Sequence, residues 1–366
     1  EMLKLSLFSL INQTFNDLEI IVSDNSSPEI QEKNGKTIKK LGHSNIIHLR
    51  PSRVLNMHDN WEFGLSHANG LYQGVLIDKT LLKQGALLEL NKIRGNQEVD
   101  IINYLHTGIS FHPRKLFRYK LDNYPPFETH LIEPYIPQTE LQRRFDFAIP
   151  RGTSIKHYNI GKICFGFYHF NLIKKIKERF GRLFHANCCD YTSCSLALSS
   201  AQTGLFYHKE LLLTINNFQG NGSSWSHVPG AAINFLRTCD PKLSFLKDLP
   251  IPNLYSSINN IIAYDYQIVN RLGSHHYQID MAHLIQQCLN DQIDFPFTDE
   301  KEKQEQISLV QNYDKIAPRE PRKKQEKPEF SAKLRNYIFN KSIKGKVGAF
   351  HSRYYRNFFS LKSLLK

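Results

Sequence analysis

The sequence predicts an α/β protein with a doubly wound, mostly parallel sheet flanked by helices and a helical C-terminal extension. Short apolar stretches alternate with stretches of helical spacing through the first 105 residues, and two of the apolar stretches end in an aspartate. Alternation of strands and helices is typical of sheets that carry helices on both faces. The 366 residues fit one domain of about 250 residues with an appendage.

The individual elements follow from periodicity and from their end signals. Leucines at spacings of three and four predict a helix over residues 3–15. Pro28 is suited to the first turn of a helix that runs to about Leu41, and Gly70 is suited to the end of another. The other predicted elements are strands over 18–24, 45–49, 72–78 and 99–105, and helices over 57–68, 83–94, 253–272 and 277–293.

The positive charge of the chain is concentrated at its C-terminal end. From Lys315 to Lys366 there are fifteen Lys or Arg against three Glu, whereas the whole chain has a net charge of +13. The body is therefore almost neutral, which argues against a nucleic-acid partner. Residues 331–366 contain nine basic residues and no acid, with aromatic residues and leucines at helical spacing. This pattern predicts an amphipathic helix for an anionic membrane surface; packing on the protein or on an acidic partner is the alternative.

The sequence contains no apolar segment of about 18 to 20 residues that could span a bilayer. Its first residues also lack the basic and apolar regions of a signal peptide. We therefore expect a cytoplasmic protein that reaches the cytoplasmic face of the membrane through its basic tail.

Two predicted strands end in a carboxylate, Asp24 and Asp78. In parallel sheets ligands bind beyond the carboxyl ends of the strands, so two acids in corresponding positions mark a candidate ligand site. For a single aspartate, a helix N-cap or a solvated turn is the alternative.

Two stretches of the sequence resemble family-2 glycosyltransferases of the GT-A fold. The first, "SLFSLINQTFNDLEIIVSDNSSPE", has that family's helix with a Ser-x-x-x-Gln-Thr pattern, a Glu-Ile-Ile-Val strand and an Asp-Asn-Ser-Ser turn. The second, "NMHDNWEFGLSHANGLYQGVLIDKTLLKQGALLEL", is similar to the helix, turn and strand that lead to an Asp-x-Asp motif. A third stretch, "HANCCDYTSCSLALSSA", resembles the acceptor-side helix more weakly. The resemblance covers about residues 3 to 230.

The resemblance implies a nucleotide-sugar donor, a glycan or other hydroxyl acceptor, and a divalent metal, Mn²⁺ or Mg²⁺. It places Asp24 at the base end of the donor and Asp78 at the ribose or at a metal-bound diphosphate, because a metal stabilises the leaving group. The implied donor-site residues are Asp24, Asn25, Ser26, Asn60, Asp78 and Lys79.

The chain departs from the family at two points. The family's first strand is absent from the sequence, which begins inside the following helix, so we expect a truncated start that leaves neighbouring backbone groups unpaired. The Asp-x-Asp motif is Asp78-Lys79-Thr80, so the second carboxylate is missing. Lys79 could supply positive charge in its place, although neighbouring strand residues point to opposite faces.

An inverting transferase also needs a base that takes the proton of the acceptor hydroxyl. The candidate is Asp190, at the start of a predicted helix whose N-terminus keeps a carboxylate ionised; a plain N-cap is the alternative reading. His185 is a second candidate base, and the polar loop 219–227, with Trp225, could stack on a sugar acceptor or be an ordinary loop.

The predicted organisation has four parts: a GT-A-like domain over 1–250 without the family's first strand, a helical extension over 251–300, a charged linker over 301–330 and the basic tail over 331–366. The predicted function is transfer of a sugar from a nucleotide sugar to an acceptor hydroxyl, with inversion. The alternative is a non-catalytic relative that binds a sugar nucleotide or a glycan.

Overall fold

The computed structural model describes residues 2–111, 119–121, 131–216 and 224–316, all within one compact unit, Glu1–Ala317. The strands of the described residues are β1 Ile20–Ser23, β2 Ile46–Leu49, β3 Tyr72–Gln73, β4 Thr80–Leu82, β5 Ile101–Phe111, β6 Tyr119–Leu121, β7 Ile132–Tyr135, β8 Gly166–His169 and β9 Gly204–Asn216. The helices are α1 Met2–Ile11, α2 Pro28–Leu41, α3 Met57–Leu65, α4 Ala86–Arg94, α5 Pro137–Phe145, α6 Ile155–Asn159, α7 Phe170–Phe180, α8 Cys189–Ser200, α9 Ala231–Cys239, α10 Ile258–Tyr266, α11 Ile268–Leu272, α12 Met281–Ile293 and α13 Glu300–Ile316.

The main sheet combines parallel and antiparallel pairs. Across the described ranges it runs in the order β3-β8-β5-β9-β4, while β6 pairs with β5 and β7 with β9. Among the described strand pairs of this sheet, only β5 and β9 run parallel, and the other pairs are antiparallel. The α/β class is confirmed, but the strands are mixed in direction rather than mostly parallel, because β4, β7 and β8 run back along the two long central strands.

A second, two-stranded sheet pairs β1 with β2 in parallel, in the register Ile20↔Ile46. Helix α2 forms the crossover between them. Pro28 occupies its first turn, and Gly42 ends it in the left-handed conformation at φ 62°, where its N–H donates to the Ile38 carbonyl. This βαβ unit agrees with the sequence prediction because both end signals are local.

Apolar clusters lie on both faces of the main sheet, as an α/β fold requires. One cluster includes the α4 side chains Leu87 and Leu90 with Leu212 of β9. The larger cluster surrounds α8, all of whose residues except Asp190 are buried. Helices α10 and α12, in the predicted helical C-terminal part, pack into this larger cluster through residues such as Ile262 and Leu284.

Three elements differ from the sequence prediction. The strand expected over 72–78 is paired only at Tyr72–Gln73 among the described residues, and a strand that was not predicted, Thr80–Leu82, pairs with β9 just before the helix expected over 83–94. The segment predicted as a charged linker is helical over Glu300–Ile316, where Val310 is buried and Gln306 accepts from the Tyr255 N–H at 3.1 Å.

The rest of the 301–330 segment and the basic tail, 331–366, lie outside the described residues. Within the part of the chain that the structure describes, no helix is long and apolar enough to cross a membrane.

Candidate functional site

Asp24 directly follows β1 and is buried. Its carboxylate accepts hydrogen bonds from Asn34 Nδ2 at 3.1 and 3.2 Å, and it lies 3.1 Å from His48 Nε2. Burial alone would raise the pKa of Asp24, but hydrogen bonds from Ser26, His48 and Asn34 outweigh burial and lower the pKa. Asp24 is therefore an anchored anion at neutral pH, held by the chain at the end of the strand.

Asn25 and Asn60 hold the backbone around this strand end. The Asn25 amide pairs with the backbone of Leu55, donating to its carbonyl and accepting from its N–H, both at 2.8 Å. Asn60 Oδ1 accepts from Ser23 Oγ at 2.7 Å, which ties α3 to β1. Ser26 donates its N–H to Asp24 Oδ1 at 3.3 Å. These predicted donor-site residues therefore hold the backbone in place around the end of β1.

Asp78 lies in a tight turn between β3 and β4. The Thr80 N–H and Oγ1 both donate to the Ile77 carbonyl, at 3.0 and 2.7 Å, which closes the turn. The Asp78 side chain is exposed, and within the described residues its carboxylate forms no hydrogen bond or ion pair. It is therefore available to a ligand, in contrast to Asp24.

The carboxylates of Asp24 and Asp78 line the same cavity, which has a volume of about 1360 Å³. Five of the six predicted donor-site residues line it: Asp24, Asn25, Ser26, Asn60 and Asp78. The sixth, Lys79, does not, since it lines a separate cavity of about 250 Å³. We call the first the large cavity and the second the small cavity. As neighbouring extended residues point apart, the turn directs Asp78 and Lys79 to different sides.

The large cavity separates the two sheets, and strand edges border it on both sides. On β1, the N–H groups of Ile20 and Asp24 donate to β2, so the parallel pattern turns the N–H and C=O groups of Ile21 and Ser23 away from β2. Both of these residues line the cavity.

The opposite edge comprises residues 72–76. The Phe170 N–H donates to the Leu71 carbonyl, and the Val75 N–H donates to the Ile163 carbonyl. The backbone N–H and C=O groups of the odd-numbered residues therefore face β8 and the segment just before it. Gly74 packs so closely here that a Cβ would lie 2.9 Å from the Gly166 carbonyl oxygen. The even-numbered backbone groups, at Tyr72, Gly74 and Leu76, are turned toward the cavity that these residues line.

Asp190 lies in the first turn of α8 and lines neither of the two cavities. Its Oδ2 lies 3.1 Å from Nζ of Lys162, a lysine with no exposed surface. The ammonium group also contacts the ring faces of Tyr158 and Tyr191, at 3.8 and 3.5 Å from their centroids. Burial opposes the charge of Lys162, but Asp190 and the tyrosines raise its pKa well above the ordinary value.

The other two acceptor-side candidates, His185 and Trp225, also contact neighbouring residues of the protein. His185 Nε2 lies 3.2 Å from the Arg182 carbonyl, and burial lowers the pKa of His185 to about 4, so its imidazole is neutral at pH 7. Trp225 is buried and packs edge-on against Phe235, which favours the ordinary-loop alternative over stacking on a sugar acceptor. Residues 219–223 of that loop lie outside the described part of the chain.

Sequence reasoning missed the residues that hold these carboxylates. His48 belongs to the strand that pairs with β1, so its proximity to Asp24 could have been read from two parallel strands ending together. Lys162 stands inside the apolar run Ile160–Phe167, and a cation in such a run signals a buried, paired charge. Asn34 reaches Asp24 from α2 and has no comparable sequence signal.

No protein-family model matches the chain, and no curated protein matches it. Among solved structures, the chain is similar to S. aureus TarS 1–349 in complex with UDP-GlcNAc, with a TM-score of 0.49 at 15% identity over 85% of this chain and 76% of that chain. For TarS 1–349 alone the TM-score is 0.47 at 11% identity, over 87% and 89% of the two chains. For TarS 1–349 in complex with UDP it is 0.46 at 11% identity, over 87% and 89%.

Proposed function

We propose that the protein is a glycosyltransferase of the family-2 type that takes its donor, a nucleotide sugar, in the large cavity. The observation that carries the proposal is that Asp24, directly after β1, and Asp78, in the turn before β4, line the same cavity. A carboxylate at a strand end can accept from a base N–H or from ribose hydroxyls. The large cavity, at about 1360 Å³, exceeds the roughly 300 to 1000 Å³ of most ligand pockets and can hold a nucleotide sugar.

Asp24 and Asp78 would differ in their roles. Asp24 already accepts hydrogen bonds from Ser26 and Asn34 and lies beside His48, so a base N–H would bind it by replacing one of these partners. Asp78 is exposed and has no described partner, so it would bind the ribose hydroxyls. These assignments follow the order of the two residues in the sequence resemblance.

The metal implied by the resemblance does not fit the side chains of this chain. Among the described residues no group of three or more His, Cys, Asp or Glu could hold a metal ion. Thr80 stands where the Asp-x-Asp motif has its second acid, and its Oγ1 donates a hydrogen bond to the Ile77 carbonyl. The proposed roles of the residues therefore involve no metal.

The acceptor step, with inversion, would use Asp190 as the base. The buried Lys162 would fix the orientation of this carboxylate, because one oxygen lies 3.1 Å from the ammonium group while a fifth of the side chain remains exposed. The same pairing also supports a second candidate function. Since Asp190 is ion-paired and lines neither cavity, a non-catalytic protein that binds nucleotide sugars has the same donor site.

Binding of UDP, GDP and dTDP, and of the matching nucleotide sugars, tests the donor site by titration calorimetry. We expect at least one nucleotide to bind the wild type and Asp78→Asn to weaken it about 10- to 100-fold, as expected for loss of a hydrogen bond to a charged group. Asp78 is exposed, so this variant should keep the stability of the wild type. Asp294→Asn, another exposed aspartate, is the matched control and should bind normally.

Asp24→Ala should abolish nucleotide binding, but it also removes the partner of Asn34 and His48, so its folding must be checked by circular dichroism. If Asp78→Asn and a folded Asp24→Ala both bind as tightly as the wild type, the donor site is assigned wrongly. Transfer from a bound nucleotide sugar to mixed acceptors distinguishes the enzyme from the binding protein: binding without any turnover supports the latter.

A further inference from the structure

Helix α3 contacts both the proposed donor site and the segment that leads into α8. Four of its residues line the large cavity: Asn60, Trp61, Gly64 and Leu65. Asp59 and Glu62 lie on another side of the helix, because residues three positions apart share a face. This side contacts residues 182–184. One helix therefore joins the donor site to the chain that approaches Asp190.

The Glu62 carboxylate holds two consecutive backbone groups. Its Oε2 accepts from the N–H groups of Leu183 and Phe184, at 3.0 and 3.1 Å. Its Oε1 lies 2.9 Å from Lys177 Nζ. Leu183 and Phe184 have no exposed surface, so water does not replace the carboxylate as their acceptor. A buried N–H group without an acceptor is costly, so Glu62 fixes the backbone at these two residues.

Two further contacts hold the same segment against α3. Asp59 Oδ1 lies 2.7 Å from Arg182 Nη2. The Trp61 ring packs edge-on against the Phe184 ring, with centroids 5.4 Å apart. Residues 182–184 are thus tied to α3 by an ion pair, a carboxylate and an aromatic contact, and we expect the segment to follow any movement of the helix.

The next residue of the segment, His185, contacts the first turn of α8. Its N–H donates to Thr192 Oγ1 at 3.2 Å, and this hydroxyl in turn donates to the Cys189 carbonyl at 3.2 Å. Cys189 and Thr192 are the first and fourth residues of α8, and Asp190 lies between them. The backbone that Glu62 holds is therefore bonded, one residue later, to the turn that carries Asp190.

Asp190 lines neither cavity, so its position relative to a bound donor depends on how α8 is held. We propose that Glu62 is a positioning residue, which keeps the first turn of α8, and with it Asp190, in a fixed relation to a donor bound beside α3. We call the contact of Glu62 with the N–H groups of Leu183 and Phe184 the clamp. That Asp190 acts as a base rests on the proposed function; the clamp between α3 and α8 does not.

Hydrogen exchange, followed by NMR on the whole chain, tests the clamp without any ligand. In Glu62→Ala we expect faster exchange at Leu183 and Phe184, which lose their acceptor, and also at His185, whose acceptor belongs to α8. Lys177→Met removes only the ion pair and should leave these amides protected. Glu62→Gln, which keeps the length of the side chain, should give a smaller change of the same pattern, and it replaces Glu62→Ala if that variant does not fold. Unchanged exchange at His185 would overturn the proposal, because the clamp would then not reach α8.

Turnover distinguishes a positioning residue from one that only stabilises the fold. Glu62→Gln should reduce kcat about 10- to 100-fold, the range for a small misplacement remote from the chemistry, and leave the Kd of the nucleotide unchanged. Glu178→Gln removes an exposed acid of α7 that is paired with Lys174 at 3.9 Å; as the matched control it should leave both values unchanged. If Glu62 acts through Asp190, adding Glu62→Gln to a folded Asp190→Asn protein should reduce kcat no further. The same fold-loss in both backgrounds would overturn the proposal.

The two measurements separate this inference from the proposed function. If the wild type turns over no nucleotide sugar but exchange at His185 responds to Glu62→Ala, the assignment as an enzyme fails and the clamp stands. If the wild type is active and Glu62→Gln has the same kcat, the inference fails and the proposed function stands.

Discussion

The Asp190 and Lys162 side chains form an ion pair whose two partners have unequal environments. Lys162 has no exposed surface and lies between two tyrosine rings, whereas a fifth of Asp190 is exposed and the carboxylate sits at the N-terminus of α8. If its partner is lost, Asp190 can still be stabilised by water and by the helix dipole. Lys162 has no such alternative, so the cost of breaking the pair depends on which residue is removed.

We therefore expect Asp190→Asn to destabilise the fold more than Lys162→Met. The first change leaves a buried ammonium without a counter-charge, which costs about 3 to 5 kcal/mol, while the second should cost less because Asp190 is partly solvated. The double variant should be more stable than Asp190→Asn alone. Urea unfolding of the four proteins measures these differences. Equal stability of the wild type and Asp190→Asn would show that the pair makes no contribution.

The same pair affects how the proposed base is tested. Asp190→Asn should keep donor affinity and reduce turnover by about 10² to 10⁴, the range for a lost general base. A folded Lys162→Met protein, whose Asp190 carboxylate is intact but no longer held, should lose less turnover than Asp190→Asn. Steady-state rates for protein shown to be folded at the assay temperature give the comparison. If folded Asp190→Asn turns over at the wild-type rate, Asp190 is not the general base, and its role is limited to the N-terminus of α8.

At the scale of elements, an apolar run forms a strand only where it finds a partner. The run over 72–78 has the pattern of a strand, yet only Tyr72–Gln73 is paired, since the neighbouring edge of β1 lies across the large cavity. By contrast, no element was predicted over Thr80–Leu82, which forms a strand because β9, more than 120 residues later, pairs with it. Sequence patterns do not reveal such distant partners.

The two facing edges predict an alternating pattern of hydrogen exchange. On β1, the amide protons of Val22 and Asp24 should be protected by their bonds to β2, while those of Ile21 and Ser23 should exchange faster because they are turned toward the cavity. Exchange measured by NMR gives this comparison residue by residue.

Uniform protection along β1 would contradict the geometry of this edge.

For the whole molecule, local signals were sufficient for part of the fold and not for the rest. Helix α2 was predicted from Pro28 to about Leu41, and the structure has the same bounds, with Gly42 as its C-cap. The rule that ligands bind at strand ends predicted that Asp24 and Asp78 lie close together, and both line one cavity, although Asp78 lies in a turn; that the cavity is a ligand site stays a prediction. The helix Glu300–Ile316 was missed because its surface is mostly charged and the contacts that fix it, such as Gln306 with the Tyr255 N–H, join residues about 50 positions apart.

Burial of charge was the other feature that the sequence could not supply. Lys162 and Asp190 are 28 positions apart, and their contact depends on how α8 packs against the segment after α6. Strands β7 and β8, which run antiparallel to the central strands, were also not predicted, since the alternation of strands and helices that the sequence shows ends near residue 105. Both errors concern long-range packing rather than local propensity.

Neutral buried imidazoles predict how the whole fold responds to acid. Burial lowers the pKa of His106 from 6.5 to about 4, so between these values the unfolded chain binds a proton that the folded chain does not. The stability contributed by neutral His106 is fully present above pH 6.5 and is lost as the pH falls toward about 4. At about 1.4 kcal/mol per pKa unit, the loss is roughly 3 kcal/mol.

His106→Gln, which keeps a donor for Asn159 Oδ1 but cannot titrate, should show a shallower fall in unfolding free energy between pH 7 and pH 4. Urea unfolding across this range gives both curves, and parallel curves would mean that His106 takes up its proton as readily in the folded chain as in the unfolded one.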